Sequence, residues 1–361
     1  MRLRLIVTGG GTGGHVFPAL ELALLAREAG AEIFYFGSRR GQEVAASNRA
    51  AVPFVGFPSA PLWSLKTPRG WKGLAGLMRS RLMAGPALKR GKPDVVFSTG
   101  GYSSAPIVSA AQALGIPVVM HEQNSVPGRS NLMFAKRSKF VATTFFSAEK
   151  HLEGCTVVRT GLPIRRELRT LADGPHGREL LPLIFVFGGS QGAQAINEAA
   201  LGAATRMYGR ALHWIHVAGK ANFESVFATY EKLGLSGSYE VKSYLDAEEM
   251  GRCYARAAVA VTRGGAGTLS ELAAFRLPAV AIPLPIAHAN HQLHNVREFV
   301  ERAAATLLVQ SELHPVSLER ELNEWLEDEE RRERAAEAMA AWDTPNAAAE
   351  IWELIQRAAK A

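Results

Sequence analysis

Two glycine-rich turns, each following a short apolar strand pattern and leading into a helical one, constrain this chain more than any other feature. In the first, Leu3-Arg4-Leu5-Ile6-Val7 runs into Gly9-Gly10-Gly11-Thr12-Gly13-Gly14-His15, with Pro18 and the run Ala19 to Glu28 signalling the helix. In the second, Leu183-Ile184-Phe185-Val186-Phe187 runs into Gly188-Gly189-Ser190-Gln191-Gly192-Ala193. Glycine tolerates positive φ and carries no Cβ, so such a turn lays N–H groups against an anion at a helix N-terminus. Two phosphate-handling units are expected.

The duplication extends beyond these turns. Val95-Val96-Phe97-Ser98-Thr99-Gly100-Gly101 leads into a helix and then the strand Ile116 to Met120. In the second half, Val259-Ala260-Val261-Thr262-Arg263-Gly264-Gly265 leads into a helix and then Leu277 to Ile282. Apolar strands alternating with helices predict parallel sheets covered on both faces, with ligands beyond the carboxyl ends of the strands. The expected class is therefore α/β, with two doubly wound, Rossmann-like parallel-sheet domains. A chain of 361 residues is long for one core. The boundary falls within residues 160–182, which carry Gly161, Pro163, Gly174, Pro175, Gly177 and Pro182. A charged helical tail from Leu318 is interrupted at Trp342-Asp343-Thr344-Pro345-Asn346, and a last amphipathic helix runs from Ala347 to Lys360.

Charge divides unevenly. Residues 1–163 hold 20 Lys plus Arg against 8 Asp plus Glu, or +12; the remainder holds 21 against 26, or −5. The asymmetry points to an anionic partner for the first half. Residues 61–93 concentrate it, with Lys66, Arg69, Lys72, Arg79, Arg81, Lys89, Arg90 and Lys92 and no acid. Among them stand Leu62, Trp63, Leu65, Trp71, Leu74, Leu77, Met78, Leu82 and Met83. Basic and apolar side chains so mixed read as a patch on an anionic membrane surface. The plainer reading is a core helix with a solvated basic face. No nucleic-acid recognition motif is visible, so no nucleic-acid partner is expected. Nothing at the N-terminus reads as a signal peptide, and no apolar run approaches the roughly 18 residues of a membrane span. Cys155 and Cys253 lack metal-ligand spacing, which fits a reduced cytoplasmic setting without disulfides.

The candidate chemistry admits several readings. Gly9, Gly11 and Gly14 satisfy the dinucleotide fingerprint, but no ribose-binding acid ends the next strand, where Arg39-Arg40 would instead suit a 2′-phosphate. That would make an NADP-dependent oxidoreductase. Gly188-x-Ser190-x-Gly192 matches a nucleophile elbow, although a whole α/β unit precedes it and no triad is evident. His288, His291 and His294 suggest a metal, with no neighbouring Cys or carboxylate to complete it. Thr268-Leu269-Ser270-Glu271 reads as a capping box, or as a carboxylate poised to accept both hydroxyls of a ribose. His15 is the best candidate base, since imidazole titrates near neutral pH. His121-Glu122-Gln123-Asn124 ends another strand and is poor core material.

Together these motifs resemble the family of bacterial GT-B glycosyltransferases that attach N-acetylglucosamine to the lipid-linked muramyl-pentapeptide of peptidoglycan. The resemblance covers essentially the whole chain: GGTGGHVFPAL at Gly10 to Leu20, STGGYSSAP at Ser98 to Pro106, HEQN at His121 to Asn124, GGSQGA at Gly188 to Ala193, and GGAGTLSELAAFRLPAVAIPLP at Gly264 to Pro285. It implies GT-B architecture, with two Rossmann-like domains facing a central cleft. Residues 1–163 would form the acceptor and membrane-facing domain, residues 164–341 the UDP-N-acetylglucosamine domain, and residues 342–361 a helix packing back on the first.

By position, the resemblance implies that Thr12, Gly13 and Gly14 approach the sugar and diphosphate, with His15 as base and Glu122 next in line. Gly100, Gly101 and Tyr102 would lie on the acceptor side. Asn124 would contact the transferred sugar, Arg165 and Ser190 the diphosphate, and backbone near Tyr244 and Leu245 the uracil. Ala266, Gly267, Thr268, Leu269 and Ser270 would surround the nucleotide, Glu271 bind ribose and Gln292 grip sugar hydroxyls. Gly161-Leu162-Pro163 departs from the family's Gly-Asn-Pro, and His291-Gln292 from a paired glutamine, which leaves His291 unassigned. The implied reaction is an inverting transfer from UDP-N-acetylglucosamine to the 4-hydroxyl of the muramyl sugar of undecaprenyl-pyrophosphoryl-muramyl-pentapeptide. No cofactor and no obligatory metal are expected. The enzyme would sit peripherally on the cytoplasmic side of the plasma membrane, with partners in wall synthesis left open. A GT-B transferase for another lipid acceptor is the alternative.

Overall fold

Strand β1 (Arg4–Thr8) sends Leu5 and Val7 to one face of its sheet and Ile6 to the other, and all three are buried. Such a strand needs helices on both sides, and the rest of the chain supplies them. A computed structural model describes residues 2–61, 66–174, 181–189, 192–235, 237–287 and 290–360. After β1 come α1 (Gly13–Glu28), β2 (Glu32–Ser38), α2 (Gln42–Arg49), β3 (Phe54–Phe57), α3 (Pro68–Gly91), β4 (Val95–Ser98), α4 (Ala105–Ala113), β5 (Val118–Glu122), α5 (Arg129–Ala135), β6 (Phe140–Thr143) and β7 (Val157–Arg159). Then follow α6 (Arg166–Ala172), β8 (Leu183–Phe187), α7 (Gln194–Arg206), β9 (His213–Val217), α8 (Phe223–Leu233), β10 (Tyr239–Lys242), α9 (Ala247–Arg256), β11 (Ala257–Thr262), α10 (Ala266–Ala274) and β12 (Ala279–Ala281). Helix α11 (His291–Val300), β13 (Ala305–Leu307), α12 (Pro315–Glu327), α13 (Glu329–Trp342) and α14 (Ala347–Ala359) complete the described elements.

The chain divides into two compact units, Met1–Ile164 with Asn346–Ala361, and Arg165–Pro345. Among the described residues the first unit has one sheet in the order β3-β2-β1-β4-β5-β6-β7, and the second one in the order β10-β9-β8-β11-β12-β13. Every pair is parallel. Both are doubly wound, with the order reversing between β1 and β4 and between β8 and β11. Those reversals open the crevices in which such sheets hold ligands.

In the first unit Leu5, Val7 and Tyr35 pack with Val16 and Leu22 of α1 and with Ile351, Leu354 and Ile355 of α14. The other face joins Ile6, Phe36 and Val96 to Ala84 and Leu88 of α3 and Ile107 of α4. Each fully buried Leu or Ile contributes about 1.5–3 kcal/mol, so α14 is a structural part of this unit. The terminal segment expected from Trp342 onward changes unit at Asn346 instead. Trp342 ends α13, donates from its indole to Glu298 Oε1 at 2.9 Å and packs on Phe299 at 4.6 Å between ring centres, all in the second unit. Helix α1 also differs from expectation. It begins at Gly13, and Pro18 lies inside it, where the missing N–H forfeits one bond to the Gly14 carbonyl.

The second core contains a buried histidine with every polar atom satisfied. Tyr239 donates its hydroxyl to His216 Nδ1 at 2.7 Å, His216 Nε2–H donates to Asn197 Oδ1 at 2.9 Å, and Asn197 Nδ2 donates to the Ala218 carbonyl at 3.0 Å. Burial pushes His216 down to about 3, so it is folded as the neutral imidazole. An unfolded histidine titrates near pH 6.5, as a rough model value, and takes up a proton that the native state refuses. The neutral-histidine contribution is therefore complete above that pH and is lost as pH falls toward the folded value. Urea midpoints are expected to fall between pH 7.5 and pH 5, with a shallower slope for His216→Gln. An unchanged slope in that variant would contradict the assignment.

Candidate functional site

In the first unit the turns after β1 and β4 touch backbone to backbone. Gly10 N–H donates to the Gly100 carbonyl at 3.2 Å. Gly101 holds φ +88°, and a Cβ there would stand 2.0 Å from the Gly10 carbonyl oxygen. No other residue type fits that approach. His15 is fixed across the same seam. Its Nδ1–H donates to the Thr99 carbonyl at 2.8 Å, and Thr99 Oγ1 donates to the His15 carbonyl at 2.7 Å. A carbonyl only accepts, so Nδ1 carries the proton, which leaves Nε2 as the nitrogen at which the ring can exchange one. Thr12 is the N-cap of α1 without a side-chain cap bond, and Gly13 and Gly14 open the helix, where N–H groups have no intrahelical partner.

One carboxylate in this turn escaped the sequence reading. Glu43, near the start of α2, is fully buried and accepts Gly11 N–H on Oε1 at 3.3 Å. A Cβ on Gly10 would meet Glu43 Oε1 at 1.8 Å and Ser103 Oγ at 2.4 Å, so all three crowd the turn. Tyr102 stands beside it, donating to the Arg40 carbonyl at 3.3 Å. Burial and then the Glu43 charge push that phenol above its usual range. The signal was present in Gly41-Gln42-Glu43, five residues past the end of β2. An internal carboxylate already occupies the Gly11 amide, one of those a dinucleotide pyrophosphate would need, which argues against the NADP reading.

The HEQN run at the end of β5 proves to be a scaffold. Glu122 accepts Asn124 N–H at 2.9 Å and Asn124 Nδ2 at 3.4 Å on Oε1, and Gly128 N–H at 3.0 Å and Asn131 Nδ2 at 2.7 Å on Oε2. A carboxylate offers about four acceptor positions, and all are taken. Those bonds tie Glu122 to the loop that carries Asn124, which favours a structural role over that of a second base. His121 is buried, donating from Nε2 to the Gly161 carbonyl at 2.8 Å while Nδ1 accepts from Gln123 at 3.0 Å. Burial outweighs the Gly161 bond and brings it down to about 4, so it too is neutral.

In the second unit the turns after β8 and β11 each lie close to other backbone, the first to the end of β9 and the second to α11. A Cβ on Gly192 would lie 2.2 Å from the Ala218 carbonyl oxygen, and one on Gly264 would lie 2.7 Å from that of Gln292. Ser190 lies outside the described residues, as does His288 of the suggested metal cluster. Helix α10 begins at Ala266 with Gly265 as N-cap, so Glu271 is its sixth residue and the capping box is not formed. Its carboxylate instead receives Arg165 on Oε1 at 3.3 Å and the Tyr254 hydroxyl on Oε2 at 2.9 Å. Burial pushes its pKa up, and Arg165 and Tyr254 oppose that shift. Ala266, Leu269 and Ser270 are buried, whereas Gly267, Thr268 and Glu271 are partly accessible. A ligand at this helix start meets those three side positions and the backbone. Gln292 accepts Leu284 N–H on Oε1 at 2.9 Å, leaving its amide N–H groups for another partner. Leu245 is buried beside exposed Tyr244, immediately before the Asp246 cap of α9.

Both units match known families. The model of the glycosyltransferase family 28 N-terminal domain covers residues 5–143, and that of the C-terminal domain residues 183–351. The chain is similar to the UDP-N-acetylglucosamine–N-acetylmuramyl-(pentapeptide) pyrophosphoryl-undecaprenol N-acetylglucosamine transferase of Anaeromyxobacter sp. (strain K), at 36% identity over 98% of this chain and 94% of that protein. The enzyme of the same name from Methylococcus capsulatus is 37% identical over 97% and 98%. A crystal structure of Acinetobacter baumannii MurG superposes with a TM-score of 0.80 at 28% identity, covering 99% of this chain and all of that one. The calicheamicin glycosyltransferase CalG4, at TM-score 0.69 and 16% identity over 99% of each chain, shares the fold.

Proposed function

The chain belongs to glycosyltransferase family 28, among the N-acetylglucosamine transferases acting on the muramyl lipid, and we propose how its residues serve that reaction. It moves N-acetylglucosamine from UDP-N-acetylglucosamine to the 4-hydroxyl of the muramyl sugar of undecaprenyl-pyrophosphoryl-muramyl-pentapeptide. The observation that carries the residue assignment is the hydrogen bond from His15 Nδ1–H to the Thr99 carbonyl, which assigns the proton-accepting role to Nε2 at the head of α1. The hydroxyl attacks the anomeric carbon with inversion while His15 takes its proton, and UDP leaves as an anion. Arg165, Ser190 and the N–H groups at the helix starts stabilise that charge, an electrostatic role worth roughly 3–4 kcal/mol per donor in measured cases. Glu271 receives the ribose hydroxyls, Gln292 and Asn124 the transferred sugar, and the backbone near Leu245 the uracil. Thr12, Gly13 and Gly14 approach the sugar and diphosphate, with Gly100, Gly101 and Tyr102 on the acceptor side.

The acceptor's polyprenyl chain stays in a bilayer, so the first unit must meet a lipid surface, and we assign that role to α3. The buried side of α3 is Gly70, Gly73, Ser80, Ala84 and Leu88. Its large apolar residues point outward: Trp71 is 61% exposed, Met78 52% and Leu82 70%. With Ala75 and Pro86 they follow one stripe, flanked by Lys72, Arg79, Arg81, Lys89 and Arg90. A core helix with a solvated basic face would bury that stripe, so the geometry favours interfacial docking. Leu62, Trp63 and Leu65 of the same basic segment lie outside the described residues. None of the described helices is long and apolar enough to cross a membrane. The docked face is assigned to the cytoplasmic leaflet, where anionic lipids attract basic segments.

Labelled sugar is expected to pass from UDP-N-acetylglucosamine to the muramyl lipid and not to a diacylglycerol offered in parallel. His15→Ala should lower turnover about a hundredfold or more with little change in nucleotide affinity, the usual scale for a general base. Wild-type turnover in that variant would move the base elsewhere, and transfer to the glycerolipid alone would reassign the acceptor. Changing Arg79, Arg81, Lys89 and Arg90 to Glu should abolish co-sedimentation with anionic vesicles and leave UDP affinity intact. Added salt should weaken wild-type binding through screening. Unchanged sedimentation of the variant would return α3 to the plainer reading.

A further inference from the structure

Tyr254, on α9, has no part in the assignments above, yet its hydroxyl is placed with unusual rigidity. The ring is wholly buried, edge-on to Phe185 and Phe187, each 5.6 Å away between centroids, and tilted against Phe275 at 5.2 Å. Burial, and then the Glu271 charge, keep the phenol far above its usual range, so it remains protonated and a donor. That donor goes to Glu271 Oε2 at 2.9 Å, while Arg165 reaches Oε1 at 3.3 Å. The terminal torsion of a glutamate is soft, and without fixed partners its carboxylate samples a broad range. Among the described residues each oxygen has one protein donor. Of the roughly four acceptor positions of a carboxylate, one per oxygen is left, which suits two vicinal hydroxyls.

We infer that Tyr254 is a positioning residue for nucleotide recognition, locking the Glu271 carboxylate in the orientation that accepts a ribose diol and keeping Arg165 anchored on the same group. The inference rests on the reading of Glu271 as the ribose contact. It adds that ribose and diphosphate are read by one hydrogen-bonded chain, Tyr254 to Glu271 to Arg165, whose fixed end is the aromatic cluster. Tyr254 itself never touches the ligand.

The test is calorimetric titration of UDP and of 2′,3′-dideoxy-UDP into wild type, Tyr254→Phe, Glu271→Ala and the double variant. Phenylalanine keeps the ring packing and removes only the donor. Tyr254→Phe should lose about tenfold or more in UDP affinity, the scale of a hydrogen bond to a charged group, and little for the dideoxy analogue. The ratio of the two affinities should therefore collapse. In the Glu271→Ala background the same substitution should leave the ratio unchanged, because the effect passes through that carboxylate. The ratio does not depend on the folded fraction, so a partly destabilised variant remains informative. With UDP-N-acetylglucosamine the KM should rise in proportion while kcat changes less than about threefold, as expected for lost uniform binding. A wild-type ratio in Tyr254→Phe, with the ratio lost in Glu271→Ala, would reduce Tyr254 to a core residue. A wild-type ratio in Glu271→Ala would overturn the ribose reading itself, and the inference with it.

Discussion

Backbone packed directly on backbone at the ends of the parallel strands is the constraint on which the rest depends. A side chain on Gly9 would place its Cβ 1.8 Å from Thr99 Oγ1, and one on Gly101 would reach the Gly10 carbonyl oxygen at 2.0 Å. With those turns seated, Thr99 presents its carbonyl to His15, and the imidazole acquires one tautomer and one direction. The second unit also relies on close backbone approach, but to other elements, with Gly192 against Ala218 after β9 and Gly264 against Gln292 of α11. Pushing either pair apart would displace the helix start that each turn aims.

The same topology is then specialised by charge. In the first unit a buried carboxylate, Glu43, already holds the Gly11 amide, so that part of the turn is neutralised from within. In the second unit the carboxylate Glu271 is itself paired with Arg165, leaving cationic and N–H groups for an anion. One fold thus carries two differently charged turns through a few buried acids placed differently.

Much of this was legible in the sequence because glycine turns and strand periodicity are local signals. The paired βα units, their order and the motifs at the strand ends follow from residues adjacent in the chain. What escaped depends on contacts made at a distance. Glu43 lies beyond the strand where a ribose acid was sought, and only folding of α2 brings it back to Gly11. The spacing of Thr268 to Glu271 imitates a capping box, but α10 starts two residues before Thr268, and the carboxylate turns to Arg165 and Tyr254. Glu122 looked like a reactive acid because a charged residue after an apolar strand is unusual, and its four donors come from the loop that follows and from Asn131 of α5. Pro18 suggested a helix start, whereas Gly13 and Gly14 already have helical geometry. For α3 the sequence left two orientations open, and only the fold reveals that Gly70, Gly73, Ser80, Ala84 and Leu88 form its buried side.

The central claim is that the two glycine-turn units divide the work, with the nucleotide held by the second. Backbone amide hydrogen exchange with and without saturating UDP tests this most directly. The account predicts slowed exchange at residues 264–271 and 192–197 and around residues 244–246, exceeding any change at residues 9–15. Slowing at residues 9–15 with none at 264–271 would contradict it.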